Sequence, residues 1–189
     1  PSMIASVQEQ LTRAAKDENV KAVVLRINTP GGTVTASDII YHELKTFKAS
    51  RKVPIVASIM DLGTSGGYYI AAAADTILAH PSSVTGSIGV IVQLANASEL
   101  LHRVGIESAV ITSGPFKDSG NPTRTLRPEE RQVFQALVDD VYQQFIEAVA
   151  QGRNLPLDEV RQAADGRIYT GRQAKDLRLI DELGSLHDA

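Results

Sequence analysis

The sequence predicts an α/β domain. Short apolar runs with strand character alternate with segments of helical period, and two glycine pairs follow directly on strand ends. Strand–helix–strand alternation calls for right-handed crossovers onto a largely parallel sheet. The chain has 189 residues, 43% hydrophobic and 22% charged. That is ordinary globular material with enough apolar content for one core, so a single domain over residues 1–189 is expected.

The elements follow in order. Ile4–Asp17 reads as a helix, with Ile4, Val7, Leu11 and Ala14 on one face. Lys21–Asn28 reads as a largely buried strand, broken by Thr29-Pro30-Gly31-Gly32. Ala36–Phe47 returns to helical period through Ile39, Ile40, Leu44 and Phe47. Val53–Met60 is a second apolar strand, Asp61–Gly67 a glycine-rich turn, and Tyr68–Ala74 a short apolar helix. Thr76–Ala79, Ile88–Val92 and Ser108–Thr112 are expected as further strands, with a short helix at Ser98–Val104. Ser113–Leu126 is a polar loop, longer than ordinary connections, and long ordered loops are often functional. Pro128, followed by Glu129 and Glu130, opens the strongest helix. Its stripe runs from Val133 to Val149, and Gly152 is expected to stop it. Leu157–Ala164 is a short helix, Ile168–Tyr169 extends, and Thr170 caps a helix over Gly171–Leu177.

Composition removes several function classes. The net charge of −3 argues against a nucleic-acid footprint. With no cysteine there is no thiol nucleophile, thiolate metal site or disulfide. The four histidines, His42, His80, His102 and His187, include no H-E-x-x-H spacing, so no metal site is expected. No apolar run approaches the ~18 residues of a membrane span, and no signal peptide is visible. The abrupt opening Pro1-Ser2-Met3 reads as that of a fragment.

Chemistry concentrates at the glycine turns Asn28–Gly32 and Gly63–Tyr69. Both end a strand and precede a helix, the edge of an α/β sheet where ligands bind. Ser65 sits where a strand-to-helix turn exposes a hydroxyl, with Gly66 and Gly67 permitting close helix packing. Free N–H groups at such a helix start suit a tetrahedral oxyanion. A serine nucleophile needs a base. His42 and His102 lie on helices beside charged neighbours and His187 lies near the end of the sequence, which leaves His80. The alternative is a lysine held neutral, and Lys117 in the polar loop is the candidate.

Five segments, in order, resemble signal peptide peptidase A (protease IV) and its relatives among the Ser/Lys serine peptidases. They are Arg26–Gly32, Thr64–Tyr69, Thr85–Val90, Ser113–Asp118 and Asp165–Ala174. The resemblance implies a Clp-protease/crotonase-like β/α spiral. It implies Ser65 as nucleophile, Lys117 as general base and an oxyanion hole from the N–H groups of Gly32 and Gly66, supported by Gly31. It also implies that Ser87 hydrogen-bonds the lysine amine. No cofactor is needed. The expected partners are peptide substrate, a membrane reached through an N-terminal anchor absent from this sequence, and further copies of the chain. Those copies would form a homo-oligomeric ring or dome in which adjacent protomers share the dyad. The catalytic domain is expected outside the cytoplasm, degrading signal-peptide remnants. The rival readings are a Ser-His-Asp peptidase using His80, an acyl-CoA enzyme of crotonase type, and a non-catalytic scaffold.

Overall fold

A computed structural model describes residues Ser2–Ala189, which form two compact units. Unit 1 takes in the chain through Gly89 together with Gln143–Ala189, and unit 2 is Val90–Tyr142.

Unit 1 carries the α/β alternation expected from the sequence. Helix α1 (Met3–Lys16) is capped by the Ser2 hydroxyl, which accepts from Ala5 N–H. It leads to β1 (Val23–Thr29), α2 (Val34–Arg51), β2 (Ile55–Thr64), α3 (Gly66–Ala71), β3 (Thr76–Ala79) and β4 (Val84–Gly86). Strand β2 is the axis of the sheet. Val56 pairs with both Val24 and Thr76, so β1 and β3 take opposite edges of its first half. Further along, Leu62–Thr64 pair with Val84–Gly86. All these pairings are parallel, as crossover helices require. The chain later returns with β5 (Ile168–Thr170), antiparallel to β4, and β6 (Glu182–Leu183), parallel to β3. Leu44, Ile55, Tyr68, Ile77, Ile146 and Leu179 are among the fully buried core side chains. The Tyr68 hydroxyl donates to Leu179 O at 2.6 Å, so the largest of them leaves no unpaired polar atom.

Unit 2 holds α4 (Ser98–Arg103), long irregular segments and the first part of α5 (Pro128–Arg153), whose last part belongs to unit 1. Helix α6 (Leu157–Ala163) and α7 (Gly171–Asp176) complete unit 1. Thr170 and Gln173 form a reciprocal capping box at α7. No helix among the described residues is long and apolar enough to cross a membrane.

Five expectations need correction. Strand β1 is not largely buried: only Ile27 is, because β1 pairs along one edge alone and Val24 is exposed. The Asp61–Gly67 turn contracts to Ser65, since β2 continues through Thr64. The fourth strand is Val84–Gly86, and Ile88 is buried without strand pairing. Ser108–Thr112 is exposed irregular chain: its β-branched residues have the right period but no partner strand among the described residues. Finally, Gly152 does not end α5, which continues to Arg153. A Cβ at Gly152 would lie 2.0 Å from Ala72 O, so this glycine serves close helix packing rather than termination.

Candidate active site

Three strand ends of unit 1 converge at Ser65. The residue lies between β2 and α3 at φ 51° and ψ −122°. This is outside the ordinary left-handed well, and a non-glycine residue held there costs about 1–3 kcal/mol. Two backbone bonds hold it: Ser65 N–H donates to Gly86 O at 2.8 Å, and Ser65 O accepts from Tyr69 N–H at 2.9 Å. The first ties the turn to the end of β4. The second starts helix α3.

The Pro30–Gly32 turn is brought alongside. Thr64 Oγ1 donates to Pro30 O at 3.0 Å. Gly31 N–H donates to Thr29 Oγ1 at 3.1 Å, so that N–H is already engaged. Gly31 has φ +109°, and a Cβ there would sit 2.9 Å from both Gly66 N and Ser65 Cβ. Only glycine allows this approach. Gly66 is equally constrained: its Cβ would meet Ser37 Oγ at 2.2 Å and Gly32 N at 3.3 Å. The N–H groups of Gly32 and Gly66 are therefore neighbours, and among the described residues neither has a hydrogen-bond acceptor. Gly66 opens α3, where helix geometry leaves N–H groups unpaired. Two free N–H groups beside a serine held on a strained turn suit an attacking hydroxyl and an oxyanion.

Ser87 follows Gly86 and also has positive φ, at 51°. Its N–H donates to Arg167 O at 2.8 Å. Arg167 is itself fixed by Asp165, and hydrogen bonds from the Arg167 side chain and N–H hold the Asp165 carboxyl below its usual range. The segment Asp165–Thr170 thus braces the β4 end that receives Ser65 N–H. Gly31, Gly32, Ser65, Gly66 and Ser87 all belong to this one region.

His80 does not. Ala79 pairs with Ile59, so His80 is level with Met60, five residues before Ser65 along β2. At about 3.3 Å per residue that is roughly 16 Å of strand. Its Nδ1 is paired with Ser82 Oγ at 2.8 Å.

Lys117 belongs to unit 2, in a run of turns, and is exposed. Among the described residues it makes no ion pair. Its neighbours, however, are held by a cluster that sequence reasoning missed. Glu130, with no exposed surface, accepts from Arg124 Nη2 at 2.5 Å, Arg127 Nη2 at 2.6 Å and Arg127 N–H at 2.9 Å. Arg124 also grips Asp118 through Nε at 2.8 Å and Nη2 at 2.9 Å. The hydrogen bonds from Arg124 hold both carboxyls below the usual range, Glu130 the more strongly. In sequence Glu130 reads as a solvated charge at a helix start. The three-residue spacing of Arg124, Arg127 and Glu130 was the available signal. Asn28, Thr29, Ser37 and Thr64 were missed too. Of these Asn28, Thr29 and Thr64 stand inside the two glycine motifs, and Ser37 does not.

Residues 47–189 match peptidase family S49. A Synechocystis protein provisionally named a protease is 46% identical over 94% of this chain and 63% of its own length. An Enterococcus faecium protein provisionally named signal peptide peptidase SppA is 40% identical over 95% of this chain and 52% of its own. Protease 4 of Salmonella typhi is 38% identical over 95% of this chain and 29% of its own. The chain thus spans about a third to two thirds of these relatives.

Proposed function

The chain belongs to peptidase family S49, with its Clp-protease/crotonase-like fold, and on that premise we propose that it is a serine endopeptidase working through a Ser65/Lys117 dyad. The observation that carries this reading is the Ser65 turn. A strained serine beside the unpaired N–H groups of Gly32 and Gly66 is costly to maintain without a chemical use. The strand register that separates His80 from Ser65 favours lysine over histidine as base.

In this mechanism the neutral Lys117 amine takes the proton from Ser65 Oγ as the oxygen attacks a peptide carbonyl. The new oxyanion is held by Gly32 and Gly66 N–H. The intermediate collapses, the C–N bond breaks, and the lysine ammonium gives its proton to the leaving amine. The same amine then removes a proton from water for attack on the acyl-enzyme, and Ser65 recovers its proton as it leaves. Ser87 accepts a hydrogen bond from the amine and orients it. No cofactor enters these steps.

The substrates are apolar peptides, among them signal-peptide remnants, in keeping with the resemblance and with the printed name of the Enterococcus relative. Action at the membrane, on its extracytoplasmic side and through an N-terminal anchor, belongs to the same reading. So does assembly into a ring or dome in which Ser65 of one protomer meets Lys117 of the next. Exposed Ile91, Ile111, Phe116, Val133 and Leu137 of unit 2 support such assembly.

The test is hydrolysis of a fluorogenic apolar peptide across pH, beside Ser65→Ala and Lys117→Ala. Both variants are expected to be inactive. The wild type should gain activity as pH rises into the alkaline range. Near-normal activity in Lys117→Ala would overturn the dyad. Mixing the two inactive variants should restore activity if protomers share the site. No recovery at any ratio would place the dyad within one chain.

A further inference from the structure

The Ser/Lys reading leaves a question at Lys117. The next residue, Asp118, carries a carboxylate, and a carboxylate close to a lysine favours the ammonium, the wrong form for a base. The structure gives that carboxylate another partner. Arg124 takes both Asp118 oxygens, Oδ2 through Nε and Oδ1 through Nη2, the bidentate arrangement that suits a guanidinium. Arg124 Nη2 also donates to Asp118 O at 3.2 Å, fixing the backbone just after Lys117. On the other side, Arg127 Nη2 donates to Pro115 O. Glu130 joins the two guanidinium groups and accepts from Ser119 Oγ at 3.3 Å as well. The residues flanking Lys117 are therefore fixed on both sides, while the lysine is exposed and its amine makes no ion pair among the described residues.

A buried carboxylate with two arginines is weak evidence for stability, because desolvation offsets much of the attraction. What such a cluster does supply is a defined geometry. Here the geometry is that of the loop bearing the proposed base, and the cluster balances two negative charges with two positive ones. We infer that Arg124 and Glu130 are positioning residues for the Lys117 base: they hold its loop in place and draw the Asp118 carboxylate away from its amine. The inference rests on the Ser65/Lys117 reading.

The variant Arg124→Lys keeps the charge and loses the bidentate grip. It should lower kcat by about tenfold to a hundredfold with a smaller change in KM, because the base is misplaced. It should also move the alkaline midpoint of kcat/KM upward by about one unit, because Asp118 is released towards the amine. Asp118→Asn in the Arg124→Lys chain should return the midpoint towards the wild-type value while kcat stays low. A purely structural role would lower the amount of folded enzyme and leave the midpoint unmoved. Glu130→Gln, which keeps shape and removes charge, covers the case in which Arg124→Lys does not fold, and it should show the same kcat loss. If Lys117→Ala is inactive while Arg124→Lys and Glu130→Gln match the wild type in kcat and midpoint, the inference is wrong and the dyad stands. If Lys117→Ala is active, the dyad itself has failed.

Discussion

Around Ser65 the restraints are main-chain hydrogen bonds, the hydroxyls of Thr29 and Thr64, and glycines packed too closely for a Cβ. Around Lys117 they are four charged side chains, Asp118, Arg124, Arg127 and Glu130, with few backbone bonds among irregular turns. The first arrangement depends chiefly on shape, with the Asp165–Arg167 pair as a charged brace behind Ser87. The second depends on ionisation. A nucleophile and its oxyanion donors tolerate no displacement, and a sheet edge supplies rigid N–H and C=O groups at fixed spacing. The proposed base lies on an irregular loop without such a frame, and side-chain charges take its place.

The largest effect separating the two regions should come from Gly66→Ala. Its Cβ would lie 2.2 Å from Ser37 Oγ and 3.3 Å from Gly32 N, displacing one proposed oxyanion donor. We expect kcat to fall about a hundredfold or more, equally at every pH. Adding Ser37→Ala should restore part of it by removing the nearer clash. A loss confined to one side of the pH profile would show that the Ser65 region, too, depends on charge.

Gly152→Ala is the next test, on stability alone. The new Cβ would sit 2.0 Å from Ala72 O, a backbone atom that cannot rotate away. Overpacking of this kind costs about 1–3 kcal/mol. Denaturant unfolding should show that loss, while the folded fraction keeps its kcat. A change in kcat would mean that the α5–α3 packing reaches Ser65, and the backbone account of that turn would need widening.

These two glycines also show what was legible. Gly66 stands in a recognisable strand-end motif, and its place beside Ser65 was readable because the motif is local. Gly152 looked like a helix stop because its cause lies in Ala72, eighty residues away. The same contrast holds for strands. Thr76–Ala79 was readable from its apolar run, whereas Ser108–Thr112 had β-branched residues but no partner strand among the described residues. The structure brings Ser65, Gly32 and Gly66 into one region. The Arg124–Glu130 cluster was not seen, because burial of a charge is set by its partners and not by its residue type.

Acid should separate the two regions more gently. The Asp118 and Glu130 carboxyls are held below their usual range, chiefly by hydrogen bonds from Arg124. Groups depressed in the fold stabilise it fully above their unfolded values, near 4, and the contribution is lost as pH falls through the folded values. The cluster should therefore persist from neutral to mildly acid pH and open only in strong acid. The amide resonance of Gly120, beside the cluster, should move only well below the ordinary carboxyl value of about 4, while that of Gly66 stays in place. Simultaneous movement would mean that acid unfolds the whole chain at once.

The smallest effect we expect is from Tyr69→Phe. The buried Tyr69 ring packs against Tyr41 and Phe145, and its hydroxyl donates to Asp38 Oδ1 at 2.8 Å. Burial and the Asp38 carboxylate raise the Tyr69 phenol far above its ordinary range, so it stays a donor throughout the working pH. The bond joins α2 to α3, the helices that follow the two glycine turns. Its removal leaves Asp38 with His42 Nδ1 at 3.2 Å and with solvent, so no acceptor is stranded. The cost should be about 1 kcal/mol rather than the larger penalty of an orphaned group, a fall in Tm of about 2–4 °C for a chain this size. Because Ser65 is held through Gly86 O and Tyr69 N–H, and both bonds survive the substitution, kcat should change by less than about threefold. A tenfold fall in kcat with a normal Tm would show that the side-chain brace between α2 and α3 tunes the oxyanion donors. The Ser65 region would then resemble the Lys117 loop more closely than its backbone bonds imply.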